Sequence, residues 1–465
     1  MPPSPASSLS VARRLAQYVS GVTLDAVPPA VVARATLLVL DTLGSGLASS
    51  RQDFGRSVVE AAGRLGGAPE STVIGTRIRV GAGAAVLANG TLAHGLDFDD
   101  TREDAIVHTG CVAVTTALAV GEAVEAGGRA ALEAAIAGVE VMCRIGLAVP
   151  GRFHARHYHP TALTGSFAAA AAAGRLYRLT EDQLVHAFGI CGSQASGVIE
   201  YLADGSWTKR LHPGWAAHAG VTAALLARAG FTGPETVFEG AHGFFAAFAG
   251  GHDPARLEAL LASLGQTWEL ANLTFKPYPC GSIAHPYMDC AGRLRERHRF
   301  RPDEIAEVRC RTAEGPVPRL WEPLAAKHRP QNGYAAKFSL PYLLASILVT
   351  GRATLADFTD QAVQDETLRR VAAKVYYDID PTIDYPRHFI GHVTVRLTDG
   401  RRLEERQDHP RGGPDFPMTR EELTAKFRAN AAEAIAEAQA SRVVALVEAL
   451  AAQPRVAPLM DALTA

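Results

Sequence analysis

Residues 392–407, HVTVRLTDGRRLEERQ, decide the fold class. Apolar and polar residues alternate on both sides of Asp399-Gly400, which is the period of a strand around a hairpin dipeptide. Outward toward the N-terminus, EIAEVRCRT (304–312) reads as a further strand, and helices are expected over 284–297, 335–350 and 362–374. Toward the C-terminus, Thr419 and Glu422 form a capping box that opens a helix, and a last helix begins near Ser441. Upstream the signal is different. Residues 29–46, 110–126, 129–148, 161–178 and 214–230 are Ala/Leu/Val-rich stretches of helical length, separated by Gly or Pro. Several are apolar on nearly every side, as suits helices buried among helices. The expected fold is mainly α. A large all-helical domain spans 1–270 and is completed by 410–465, and a smaller α+β domain spans 271–409. A cleft between two such domains is a natural place for a ligand.

Composition narrows the function. The 465 residues are 48% hydrophobic and 20% charged with a formal net charge of −2. Such a chain can bury a core, and that charge argues against a nucleic-acid or anionic-membrane binder. No run of 18 strongly apolar residues is evident, so no membrane span is expected. The N-terminal stretch has no apolar signal core, and the six cysteines are scattered without a CxxC. A reducing cytoplasm is the expected address.

Five stretches carry residues suited to chemistry. In NGTLAHGLDFDDTREDAIVHTG (89–110), a helix continued through Thr101 would align His94, Asp97 and Thr101 on one face, with His108 on the loop beyond. The DDTRED run also resembles a magnesium-binding aspartate box, but no second ligand helix accompanies it. GRFHARHYHPTALTG (151–165) supplies His154, His157 and His159; no complementary ligand is in place, so no metal is expected. A histidine just before a helix suits proton transfer or anion binding instead. In LADGSWTKRLHPGWAAHAG (202–220), Lys209, Arg210 and His212 precede a helix expected from Gly214, a combination that favours carboxylates. TFKPYPCGSIAHPYMD (274–289) offers Lys276, and Cys280 is expected to be inert. AAKFSLPYLLASIL (335–348) places Tyr342 in an apolar helix, where a tyrosine is ordinarily core.

In order and spacing, HGLDFDDT, the HP of HYHPTA, TKRLH, KPYPCGS and KFSLPY together resemble the MmgE/PrpD family over nearly the whole chain. The resemblance implies a homodimer of helical-plus-lid subunits, no cofactor, and a small di- or tricarboxylate as substrate. It also implies a lyase working by proton transfer beside a carboxylate. His108, His159, Tyr342 and Lys209 match positions implied to be catalytic, and Asp97, Thr101, His212, Lys276 and Arg210 positions implied to bind substrate. Family frequency favours dehydration of the 2-methylcitrate type. Decarboxylation of cis-aconitate and epimerisation of iminodisuccinate are the alternatives, and a non-catalytic polycarboxylate binder is the rival of another class.

Overall fold

The computed structural model describes residues 9–385 and 388–465. It is mainly helical with small sheets, as expected. The chain divides into two compact units, one made of residues up to 95, 99–273 and 419–465, the other of 96–98 and 274–418.

The first unit is built on six long or central helices: α1 (Pro29–Ser50), α2 (Ala82–His94), α3 (Gly110–Ala123), α4 (Gly128–Ala148), α5 (Pro160–Leu176) and α6 (Thr208–Arg228). Alanine and glycine let these helices approach closely. A Cβ on Gly90 of α2 would stand 2.8 Å from the Gly214 Cα of α6, and one on Gly214 would stand 2.1 Å from the Leu87 carbonyl oxygen. Only hydrogen at both positions allows this crossing, and the crossing carries the α2 and α6 ends that bear histidines and Lys209. α1 is long and apolar enough by composition to cross a membrane. This departs from the expectation that no such segment exists. Most of its apolar window is buried in the fold, as for a core helix.

α6 begins six residues earlier than expected. The expected start near Gly214 lies just after Pro213, and Pro213 is itself inside α6. Lys209, Arg210 and His212 are therefore helical residues and not a segment leading into a helix. A short antiparallel pair, Ser71–Thr72 with Arg79–Val80, also interrupts what reads as helix and loop throughout.

The second unit packs α7 (His285–His298) on a four-stranded sheet of β1 (Ile305–Thr312), β2 (Val375–Ile379), β3 (Gly391–Leu397) and β4 (Arg402–Gln407). α8 (Leu340–Thr350) packs against α7. The strand order is β2-β1-β3-β4, with β2 parallel to β1 and the other pairings antiparallel. β3 and β4 form the expected hairpin, and Val393, Val395 and Leu397 point to the core on alternate positions. The helix expected over 335–350 is a short turn at Gly333–Ala336 followed by α8, which Ser339 caps by accepting from the Tyr342 N–H. The helix expected over 362–374 is shorter, Glu366–Ala372, and the chain then enters β2.

Candidate active site

In the helical unit the site is built where α2 ends. The helix stops at His94, and the chain passes through Asp97 in the left-handed region at φ 56°. The continued helix that would align His94, Asp97 and Thr101 does not form. The turn instead brings Asp99 back beneath His94, and its Oδ2 lies 2.7 Å from His94 Nδ1. Both side chains are fully buried.

Asp100 has a different task. Its carboxylate accepts from the Thr109 N–H at 2.9 Å, the Thr109 hydroxyl at 2.7 Å and the Gly110 N–H at 2.8 Å, so it caps α3. Burial, reinforced by neighbouring Asp99, pushes its carboxyl up to about 6. The loop between is pinned by the pairing of Arg102 with Val107 and by the Arg102–Glu269 ion pair at 3.0 Å. It delivers His108, whose Nδ1 lies 2.7 Å from the Asp100 carbonyl and 3.1 Å from the Thr101 hydroxyl. The His108 N–H donates to the Thr161 hydroxyl on α5 at 3.0 Å.

His159 is the residue just before α5, as expected. Its N–H donates to the Gly197 carbonyl at 2.9 Å, and its Nδ1 meets His212 Nδ1 at 3.1 Å. Burial, followed by the charges of His212, His94, Lys209 and His108, drives the His159 imidazole well below its ordinary range. The same causes, burial first and then His94 and Lys209, lower His212 to about 4. Both rings are thus neutral near pH 7. Ring centroids are 4.7 Å apart for His94–His108, 5.6 Å for His94–His159 and 5.3 Å for His159–His212. The structure therefore gathers Thr101, His108, His159, Lys209 and His212 around His94 and Asp99. Sequence reasoning did not select those last two for the site. Gly95, directly after the last helical residue, was the signal that α2 ends there.

Arg210 stands over the Phe54 ring at 4.3 Å, a cation–π packing that gives its guanidinium a structural partner. His154 and His157 do not join His159. Instead His94, His108 and His159 each offer a nitrogen within 4.8 Å of the others, as do ligand atoms of His94, Asp99 and Cys111. Three imidazoles suit a zinc-class ion by ligand type. The Cys111 thiol does not, because burial and the charges of Asp99 and Asp100 push its deprotonation well up.

In the second unit, Lys276 donates to Asp97 Oδ1 at 2.8 Å and to the Asp97 carbonyl at 3.1 Å. Lys337 donates to the Leu96 carbonyl. Two buried lysines thus hold the 96–98 segment, and Lys276 already has a carboxylate partner of its own. Tyr342 is fully buried in α8, its hydroxyl donating to the Asp357 carbonyl at 2.8 Å, and burial pushes its phenol up. Cys280 is fully buried and its thiol is likewise pushed up by burial, consistent with an inert cysteine.

Comparison with known proteins agrees with the resemblance. The MmgE/PrpD N-terminal domain matches residues 13–257 and the MmgE/PrpD C-terminal domain matches 278–452. The chain belongs to the MmgE/PrpD family. Among its relatives, the cis-aconitate decarboxylase-like protein oryM of Aspergillus oryzae is 28% identical, covering 93% of each chain. Cis-aconitate decarboxylase of Aspergillus terreus is 27% identical, over 97% of this chain and 96% of its own. The mouse cis-aconitate decarboxylase is 28% identical, over 95% and 91%.

Proposed function

We propose that this lyase is a carboxy-lyase acting on a small polycarboxylate of the cis-aconitate kind. The observation that carries this reading is the buried cluster of four imidazoles with Lys209 beside it. Loss of a carboxyl group breaks a carbon–carbon bond, releases CO₂, and leaves the electron pair on the carbon frame. That frame then takes one proton, ultimately from solvent. Neutral imidazoles can shuttle such a proton, and Lys209 can hold a carboxylate and offset the developing charge.

The relatives' names support decarboxylation over the dehydration that family frequency favours. The substrate contains carboxylates at the start and at the transition state, so cations serve binding and chemistry together. We also include a homodimer in this reading, on the family resemblance and on the exposed apolar side chains of α6.

The test is a panel of polycarboxylates, cis-aconitate and 2-methylcitrate among them, followed by proton NMR in D₂O. Loss of CO₂ with deuterium appearing on one carbon is the expected result. Loss of water would give a dehydratase. Saturable binding without turnover would give the non-catalytic binder.

A further inference from the structure

His94, His108 and His159 come together from three separate places: the end of α2, the loop before α3 and the residue before α5. One nitrogen of each ring lies within 4.8 Å of one nitrogen of each of the others, and all three side chains are buried. The bonds that fix the rings fall on the same atom each time. His94 Nδ1 lies 2.7 Å from Asp99 Oδ2, His108 Nδ1 lies 2.7 Å from the Asp100 carbonyl, and His159 Nδ1 lies 3.1 Å from His212 Nδ1. A histidine that binds a metal through Nε2 is held in this way, its Nδ1–H given to a carboxylate, a carbonyl or another acceptor. The Nε2 of His94 is buried and has no hydrogen-bond partner among the described residues. A buried nitrogen left so costs free energy that a ligand at that atom recovers. The spacing agrees. Ring centroids are 4.7 Å apart for His94–His108, 5.6 Å for His94–His159 and 6.1 Å for His108–His159. Three imidazoles around one tetrahedral zinc, with bonds of ~2.0–2.1 Å, stand with centroids roughly 5 Å apart, so side-chain shifts of about an ångström close the trio.

We propose that this trio is a site for a zinc-class ion, held through the three Nε2 atoms, and that the ion blocks the enzyme. Imidazole donors select zinc, copper or nickel over magnesium, which prefers oxygen. Coordination breaks no covalent bond. The protons stay on Nδ1, where His94 gives its own to Asp99, His108 to the Asp100 carbonyl and His159 to His212. Asp99 orients the His94 ring and strengthens it as a donor without touching the ion, so it is a positioning residue. The blocking half of the proposal rests on the carboxy-lyase reading, in which His108 and His159 move the proton. A nitrogen lone pair donated to zinc can no longer take up a proton, so the bound ion removes the acid–base groups that the reaction needs.

The experiment begins with zinc alone and no substrate. The parent protein is stripped of metal with a chelator, dialysed, and titrated with zinc against a colorimetric indicator. One equivalent per chain, bound in the low-micromolar range or tighter, is the expected result, with no competition from magnesium. X-ray absorption at the zinc edge of that complex should count three imidazoles at ~2.0–2.1 Å. This measurement needs no variant, so a substitution that fails to fold leaves the proposal testable. Asp99→Asn should weaken zinc about 10- to 100-fold while the edge still shows three imidazoles, and His94→Gln should weaken it further and lose one. Turnover of cis-aconitate is then followed with free zinc buffered, because the substrate itself chelates the ion. One bound equivalent should abolish turnover, and excess chelator should restore it. No tight equivalent, an edge without three imidazoles, or unchanged affinity in both folded variants would overturn the site. Turnover that persists with zinc bound, or that requires it, would overturn the block. Tight zinc on three imidazoles in a parent that turns over no polycarboxylate would support the site and remove the reaction it is said to block.

Discussion

Lys209 and His159 are where the proposed reaction can be separated into binding and proton transfer, one residue at a time. In the proposed reaction Lys209 holds a carboxylate present from start to transition state, so Lys209→Ala should raise KM and lower kcat/KM by roughly 10–150-fold, the value of one charge-assisted hydrogen bond. His108→Gln and His159→Gln should lower kcat by ~10²–10⁴ with a smaller change in affinity. Steady-state kinetics on folded variants checks both; near-parent kcat in the two histidine variants would displace the site. Tyr342→Phe is a sharper question, because its hydroxyl is engaged by the Asp357 carbonyl. A stability loss of about 1 kcal/mol with unchanged kcat would make it a core residue, and a large kcat loss would make it an acid. The neutral histidines also set an acid limit. His212 binds its proton only near pH 4 when folded and near pH 6.5 when unfolded, so its contribution is present above pH 6.5 and is lost as pH falls toward 4. That is worth about 3 kcal/mol at most. Denaturant melts at pH 7 and pH 5 should show the loss, and His212→Gln should reduce it. At this scale His159, Lys209 and His212 were legible because each sits in a short, distinctive tag, and His108 because it falls on the loop just beyond one. His94 and Asp99 were not, because their pairing depends on a turn through a left-handed Asp97, and helical spacing points the other way.

The element scale shows what periodicity can and cannot reveal. The helices over 29–50, 110–123, 128–148 and 160–176 fall where apolar runs and Gly/Pro punctuation put them, and the hairpin follows Asp399-Gly400. β2 escaped because it is a parallel edge strand in which only Val375 is buried, so VYYDI shows no alternation to read. The true start of α6 escaped because a proline was tolerated one turn inside the helix. The α2–α6 crossing was equally invisible, since a glycine in sequence does not disclose what it touches. It can be tested. Gly214→Ala puts a methyl 2.1 Å from the Leu87 carbonyl, and the helices must separate. The expected cost is about 1–3 kcal/mol or more, with a fall in kcat as the His94 and Lys209 ends move apart. Gly63→Ala, with nothing within 4 Å of the new methyl, should instead gain a few tenths to about 1 kcal/mol in helix propensity. Equal responses of the two variants in denaturant unfolding would remove the close crossing as the explanation.

At the scale of the whole molecule, the surface of α6 is the feature the monomer leaves unexplained. Trp207, Leu211 and Trp215 recur every fourth residue and are each 39–49% exposed, and Val198, Leu202 and Leu225 add further exposed apolar side chains. Isolated exposed apolar residues are ordinary, but a continuous stripe containing two tryptophans is the composition of an interface centre. A homodimer would cover it with a copy of itself, as a two-fold axis requires the same patch on both subunits. Light scattering should therefore give a mass near twice 49.2 kDa. Trp215→Glu places a charge in the middle of the stripe, and desolvating it on association should cost several kcal/mol, enough to shift the dissociation constant by two or more orders of magnitude. Trp215 is also three residues from His212 on the same helix, so dimer loss and activity need separate readouts. If Trp215→Glu becomes monomeric while its far-ultraviolet circular dichroism is retained, α6 lies at the interface. A parent that stays monomeric from micromolar to hundred-micromolar concentration would count against the dimer, and the tryptophan stripe would then need another partner.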